Sequence, residues 1–314
     1  MIQVLNIVLP VFGLVMLGYV AGRAGWIKPA AIEGLSGFVF TFAIPVMLFR
    51  SIATAHLPPQ VPWHFLTAYY GSTLLLYALT ILLGRAIGVS GTASAIFAMS
   101  GTYSNVVLLG IPLTIATFGE AANIPLFIIV STHAAVMFMV TTFGAETGKG
   151  EFSRLADLPA QTLRVLLRNM IVIGLLLGLG VNLSGFSLPA TLDKMAAYLG
   201  GAALPCAVFS MGASISQYRI SGDLGKISAA VMIKNILHPL VVWLACSKLL
   251  HVPPAWTAVA VLLAACPSGI NSYLFANRYR ALVASTATVV VISTLTSILV
   301  LSLTLTWLIA MYRG

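Results

Sequence analysis

Two stretches of sequence decide the fold: residues 101–112, GTYSNVVLLGIP, and residues 266–273, CPSGINSY. Each places a cluster of polar side chains and a proline within an otherwise apolar run. Backbone groups that such a break frees from helical hydrogen bonds would cost several kcal/mol each if they faced lipid. We therefore expect both breaks to line a cavity or to be buried within the protein.

The composition around these breaks is that of a membrane protein. Of the 314 residues 60% are hydrophobic and only 7% are charged, against about 25% charged in a soluble protein, and the mean hydropathy is +1.03. A soluble fold is excluded. The net charge is +9, but the sequence lacks the interleaved basic and aromatic residues of a nucleic-acid-binding surface. We therefore expect no nucleic-acid partner. All three cysteines lie in apolar stretches, which predicts no disulfide framework and no metal site, and no cofactor motif is present.

Apolar runs of about 20 residues, enough to cross a bilayer, predict an all-α polytopic protein with ten transmembrane helices in a single domain, residues 1–314. A polar stretch, 146–164, separates residues 1–145 from residues 165–314. Alternate loops carry eleven Lys and Arg on one side against four on the other, so the 146–164 linker is predicted to be cytoplasmic and both termini non-cytoplasmic. The predicted spans are 2–22, 34–53, 64–88, 92–118, 123–145, 166–184, 194–216, 226–248, 255–277 and 284–311.

The two halves also match each other in sequence. An offset of 160 residues aligns identical residues, and five spans in each half, an odd number, would give the copies opposite orientations. This predicts an inverted repeat, as in many secondary transporters, whose binding site lies where broken helices meet near the midplane. The matched pairs include Gly18 with Gly178, Pro29 with Pro189 and Pro45 with Pro205.

The broken helices are predicted helices four and nine, and their polar clusters are the candidate substrate site. Half-helix N-termini carry a partial positive charge and free N–H donors, which suits an anion. The alternative is a pair of kinked structural helices whose Ser and Asn side chains cap their own backbones. The candidate substrate-binding residues are Thr102, Tyr103, Ser104, Asn105, Ser268, Gly269, Asn271 and Ser272, and the candidate hinges are Pro45, Pro112, Pro205 and Pro267.

Four motifs resemble the auxin efflux carrier family, which includes plant carriers and bacterial permeases for malonate and malate. They are FVFTFAIPVMLF (38–49), SNVVLLGIPL (104–113), FSMGAS (209–214) and SGINSYLFANRY (268–279). The chain resembles a short bacterial member, since the long cytosolic loop of many plant members is absent. The resemblance implies the fold of sodium–proton antiporters and bile acid symporters, with crossed helices four and nine, in the bacterial inner membrane. Related folds suggest a homodimer.

The resemblance also assigns a role to one residue and marks departures. Asn105 matches the family's helix-four asparagine, whose amide faces the substrate carboxylate. Ser104 and Ser272 stand where plant carriers have crossover prolines, and Tyr69 and Thr73 stand where they have an Asp and a Lys. Neither the geometry of the crossover nor the role of that ion pair therefore transfers directly.

Three further polar residues lie within predicted spans. Lys234 stands where the plant carriers have an Arg, and a buried cation is a functional candidate by default; the alternative is a lysine that extends to the cytoplasmic surface. His133 and His238 could couple transport to protons or could simply be hydrogen-bonded packing residues. All three are candidate charge or coupling residues.

These observations predict a secondary transporter that moves a small organic anion, a mono- or dicarboxylate, by alternating access. One alternative is a sodium-coupled symporter of the same fold, with sodium held by backbone carbonyls and by Thr102, Ser268 and Asn271; another is an anion channel. The coupling ion, proton or sodium, stays open. An enzyme is not expected, because the sequence has no HExxH motif, no intramembrane aspartate pair and no serine with a credible base.

Overall fold

Helices make up most of the described part of the chain. The computed structural model describes residues 2–55, 63–149, 160, 163–164 and 167–312. Within these ranges the β pairing is limited to one isolated antiparallel bridge, between Ser104 and Ser268. The helices are α1 (Ile2–Arg23), α2 (Pro29–Phe38), α3 (Ile44–Ala53), α4 (Trp63–Ala86), α5 (Thr92–Thr102), α6 (Ile111–Phe118), α7 (Asn123–Lys149), α8 (Met170–Ser184), α9 (Ala190–Gly201), α10 (Ala203–Ile215), α11 (Leu224–Met232), α12 (His238–Trp243), α13 (Pro254–Ala265), α14 (Ile270–Tyr279) and α15 (Val283–Tyr312).

Single π-helical turns precede three prolines. The turns are Val39–Ala43, Val106–Gly110 and Ile233–Leu237, and each ends two residues before a proline, at 45, 112 and 239. Proline lacks an N–H, and its ring clashes with the carbonyl four residues back. In each turn the residue before the proline donates instead to the carbonyl five residues back, as Ile44 does to Val39. The chain thus continues through the proline by widening one turn.

The predicted break in helix four is found seven residues before its proline. α5 ends at Thr102, and helix resumes at Val106, while Pro112 lies inside the continuing helix after a π turn. In helix nine the proline does stand at the break, because α13 ends at Ala265 and α14 begins at Ile270. Pro45 and Pro205 lie near the first residues of α3 and α10, in predicted helices two and seven.

The protein is an integral membrane protein. Seven helical stretches in the described ranges are long and apolar enough to cross a bilayer, and α8 and α13 are shorter apolar helices. One of the seven, residues 106–148, is 43 residues long and includes predicted helix five with the second part of helix four. Leucines exposed on many helices, such as Leu177 and Leu303, give these helices an apolar outer surface.

The helices pack as two groups. One contains α1 to α3 and α8 to α10, where α1 lies along α10 and α3 lies along α8; the other contains α4 to α7 and α11 to α15. Glycines bring the paired helices of the first group close together. A Cβ atom on Gly18 would lie 2.1 Å from the Phe209 carbonyl oxygen, and one on Gly178 would lie 2.5 Å from that of Phe49. Small residues permit this backbone approach between helices in a membrane.

Part of the predicted linker lies outside the described residues. Of residues 146–164, α7 covers the first four and the structure describes 160, 163 and 164 beyond them. Arg154 and Arg313, two of the cations in the topology count, also fall outside the described ranges.

Candidate functional site

The two helix breaks cross as short extended segments. The Asn105 N–H donates to the Pro267 carbonyl oxygen at 2.9 Å, and the Gly269 N–H donates to the Tyr103 carbonyl oxygen at 3.0 Å. These bonds flank the bridge between Ser104 and Ser268. The backbone groups that each break frees are thus partly satisfied by the other break, which meets the requirement for non-helical backbone inside a membrane.

Two side chains from neighbouring helices satisfy the remaining N–H groups at the bridge. The Ser104 N–H donates to His133 Nε2 of α7 at 3.1 Å, and the Ser268 N–H donates to Ser293 Oγ of α15 at 3.1 Å. Because a backbone N–H is a donor, Nε2 of His133 must be an unprotonated acceptor. His133 is therefore neutral in this structure, with its proton on Nδ1.

A cavity of about 500 Å³ lies beside the crossover. Its polar wall includes Tyr103, Asn105 and Asn271, and most of the remaining wall is apolar, with Phe40, Phe138 and Met211 among its residues. None of the described lining residues is Asp, Glu, Lys or Arg. The helices that begin at Val106 and Ile270 both start at this wall. At the first start, the Val106 and Leu108 N–H groups already donate to the Ser104 carbonyl oxygen and to Asn105 Oδ1. At the second, the N–H groups of Ile270 and Asn271 have no intrahelical partner and lie close to the cavity.

The amides at the wall keep donors for a ligand. The Asn105 side chain accepts from the Leu108 N–H at 3.2 Å through Oδ1, and its Nδ2 lies 3.2 Å from Met211 Sδ, a weak acceptor. Asn271 Nδ2 donates to the Tyr103 hydroxyl at 2.7 Å. Since Tyr103 is the acceptor there, its own O–H stays available as a donor. The three groups together can offer several neutral hydrogen-bond donors to one oxyanion.

The other predicted substrate-binding residues surround the crossover and do not line the cavity. Thr102 donates to the Ala98 carbonyl at 2.7 Å within α5. Ser272 donates to the Gly269 carbonyl at 2.7 Å, and its hydroxyl lies 3.2 Å from that of Ser268. Ser104 is fully buried. Gly269 packs on Tyr103, since a Cβ atom there would lie 2.5 Å from the ring.

Lys234 and His238 form a buried polar chain behind the crossover. Lys234 Nζ donates to the Ala264 carbonyl oxygen at 2.6 Å and lies 3.1 Å from His238 Nδ1. His238 Nε2 lies 3.0 Å from Thr73 Oγ1, which donates to the Tyr69 carbonyl at 2.6 Å. Lys234 and His238 are both 0% exposed, so the lysine does not extend to the surface. Its ammonium instead caps the carbonyl end of α13, where a cation is favourable.

Several residues of the site lie outside the polar sequence clusters from which the site was predicted. Phe40 and Met211 lie on predicted helices two and seven and reach the cavity only through tertiary packing. Ser293 does have a signal, because it stands 160 residues after His133, the offset that relates the two halves. Thr73 was marked by its departure from the plant pattern, and the structure shows it beside His238.

Comparison with known proteins gives the family. The family profile described as membrane transport protein matches residues 3–305. A Rhizobium meliloti (strain 1021) protein named "Putative malonate transporter" is 26% identical over 299 residues, which are 95% of this chain and 93% of that protein.

Two eukaryotic relatives match over shorter segments. Auxin efflux carrier component 3 of Arabidopsis thaliana is 28% identical over 145 residues, 45% of this chain and 22% of the carrier. The lysosomal cholesterol signaling protein of Mus musculus is 31% identical over 110 residues, 34% of this chain and 13% of that protein. The profile, which spans nearly the whole chain, and the transporter relatives lead to one conclusion: the chain belongs to the membrane transport protein family that includes the auxin efflux carriers, and it is a transporter and not an enzyme.

Proposed function

We propose that the protein is a secondary carrier that moves a small organic anion, a mono- or dicarboxylate, by alternating access. The observation that carries this proposal is the convergence of two helix starts, at Val106 and Ile270, with the side chains of Tyr103, Asn105 and Asn271 on one wall of the cavity. The apolar side chains of the wall, such as Phe40 and Phe138, would contact the apolar part of the substrate.

The electrostatics of this wall suit an exchangeable anion. Each helix start contributes a partial positive charge of about half an elementary unit, and the amides add donors without a formal charge that must be desolvated in the empty state. A carboxylate would therefore be stabilised on binding, and the empty cavity would hold no buried unpaired cation. A carrier must be stable in both states to complete its cycle.

We further propose ten transmembrane helices in two inverted five-helix repeats, residues 1–145 and 165–314, joined by the 146–164 linker. Equivalent contacts at the 160-residue offset support this. Gly18 packs on Phe209, and Gly178 packs on Phe49, which is the same pair with the halves exchanged. The capping residues His133 and Ser293 also stand 160 residues apart, while the serines that they cap, Ser104 and Ser268, stand 164 apart. Together with the loop charges, this architecture favours a cytoplasmic 146–164 linker, external termini and a location in the bacterial inner membrane.

The relatives' names support a carboxylate as substrate. One is named for malonate and another for auxin, and both are organic acids that are anionic near neutral pH. The sodium-coupled symporter and the anion channel are the alternatives. Saturation and exchange of substrate distinguish a carrier from a channel, and the stimulating gradient identifies the coupling ion.

The test is uptake of labelled malonate, malate, succinate, lactate and indole acetate into proteoliposomes, without a gradient and with a proton or a sodium gradient. Saturable uptake of at least one acid, with exchange against the same acid inside, is expected. Linear, non-saturating flux would favour the channel, and no flux of any acid by folded protein would remove the proposal.

A pair of variants on one helix tests the site. Asn271→Ala removes an amide from the cavity wall, so we expect KM for the transported acid to rise at least tenfold. Asn277→Ala is the matched control, because Asn277 is exposed on the same helix and does not line the cavity. An unchanged KM in the Asn271 variant would place the binding site elsewhere.

A further inference from the structure

We propose that Lys234, together with His238, binds and releases the proton that is coupled to substrate movement. This inference rests on the proposed function, and it concerns a site that lies outside the cavity. Lys234 is on the π turn Ile233–Leu237, and His238 is the next residue, at the start of α12. The proposal rests on the direction of the hydrogen bonds, the charges nearby, the exclusion of water and the link to the crossover.

The hydrogen bonds run in one direction and persist in both protonation states of the lysine. Thr73 donates to a carbonyl, so its oxygen accepts from His238 Nε2, and Nδ1 must then accept from Lys234. An ammonium uses two of its three N–H groups for Ala264 and His238, and a neutral amine still has two. The lysine can therefore lose one proton without giving up either bond.

No carboxylate neutralises the lysine in the described part of the chain. The neighbouring titratable groups are Tyr69, whose ring centroid is 6.3 Å from that of His238, His133 on α7, and Cys266 after α13. The helices α5, α13 and α15 also pack against the π turn and contain no Asp, Glu, His, Lys or Arg. An ammonium without a counter-charge is costly to bury, whereas the amine is not, so burial favours release of the proton once water can accept it.

The pair is sealed in the present conformation. Both side chains are 0% exposed, and neither lines the substrate cavity. Proton exchange with water therefore requires a change in the packing around the crossover. In that step the Nζ–H bond breaks, the proton passes to water on the side that has opened, and the lysine stays behind as an amine. A coupled carrier needs a site that exchanges its ion in this gated manner.

A short segment connects the proton site to the substrate wall. Lys234 holds the carbonyl of Ala264 at one end, and six residues later Ile270 begins the helix that lines the cavity. The segment between them contains Pro267 and Gly269, whose backbones bond to the opposite break. A change of charge on Lys234 would thus act on the same backbone that contacts the substrate.

The experiment compares substrate exchange with gradient-driven uptake in the same proteoliposomes, using the acid identified above and an internal pH dye. For the unaltered protein we expect exchange, a several-fold stimulation of uptake by a proton gradient, and a dye signal that requires substrate. Lys234→Gln should lose the stimulation, while exchange stays measurable at a reduced rate because the cap on the Ala264 carbonyl is weakened. Lys248→Gln is the control, since Lys248 lies at the far end of the same helical stretch and is exposed.

Lys234→Arg separates proton binding from simple capping. Arginine can donate to the Ala264 carbonyl but cannot release its proton, so we expect exchange with no stimulation. If Lys234 only capped the helix, arginine would take over that role and the stimulation by the proton gradient would persist. Stimulation retained in either the Gln or the Arg variant would overturn the proposal. The proposal would also be overturned if the unaltered protein exchanged substrate but its uptake were not stimulated by a proton gradient. The proposed function would then still stand. Absence of exchange in the unaltered protein would instead defeat the proposed function.

Discussion

Replacing His133 with leucine should destabilise the protein through one backbone group. His133 Nε2 is the acceptor for the Ser104 N–H at 3.1 Å, and Ser104 is fully buried. A buried N–H without an acceptor costs about 1–3 kcal/mol. Leucine also removes His133 Nδ1, which is buried without a partner among the described residues, so we expect the free energy of unfolding to fall by up to that amount. Leucine still fills the space beside Tyr103, whose ring centroid is 4.9 Å from that of His133, so packing losses are small by comparison.

Glutamine at the same position provides the control, because its side-chain oxygen can accept from the Ser104 N–H. Reversible unfolding in mixed micelles by titration with sodium dodecyl sulfate would compare His133→Leu, His133→Gln and Ser293→Ala. We expect the glutamine variant to be the most stable of the three. Leu and Gln variants that agree within about 0.5 kcal/mol, the range of neutral substitutions, would refute the assigned role of His133.

Three further outcomes are expected. Asn105→Ala should abolish substrate exchange while the protein stays monodisperse in detergent, because an amide at the cavity wall is lost; wild-type KM would contradict this. Gly178→Ala should cost about 1–3 kcal/mol by overpacking against the Phe49 carbonyl, while Gly180→Ala, with nothing within 4 Å, should not destabilise in the same unfolding assay. Singly charged acids should compete for uptake better than malonate does, since the described lining offers no cation for a second carboxylate; preference for malonate in the competition assay would contradict that reasoning.

The positions of the breaks could be predicted from sequence because their cause is local. Pro267 removes a donor, and side chains such as Ser104 and Asn105 compete with the helix for backbone groups. The stretch predicted to contain the break, 101–112, includes the observed end of α5, Thr102. Pro112 does not mark the break, because a π turn before it accommodates the missing N–H donor and the helix continues.

The partners of the buried groups could not be predicted in this way. The contact between Lys234 and Ala264 joins residues 30 apart, and that between Thr73 and His238 joins residues 165 apart. Such pairs depend on how the helices pack, and no spacing along one helix encodes them. The apolar wall of the cavity could not be predicted either. In the sequence, Phe40 and Met211 are indistinguishable from core residues, and only helix packing places them at the cavity.

Within the described ranges, few hydrogen bonds cross the boundary between the two groups of helices. Leaving aside the connecting residues 216–223, the described residues of one group share one hydrogen bond with those of the other, from Asn105 Nδ2 to Met211 Sδ. Within each group, by contrast, glycine contacts or crossed backbone bonds hold the helices in register. Movement of one group along the other would therefore break few hydrogen bonds and would mainly exchange apolar contacts. Its cost would come from apolar side chains that become exposed to water during the movement.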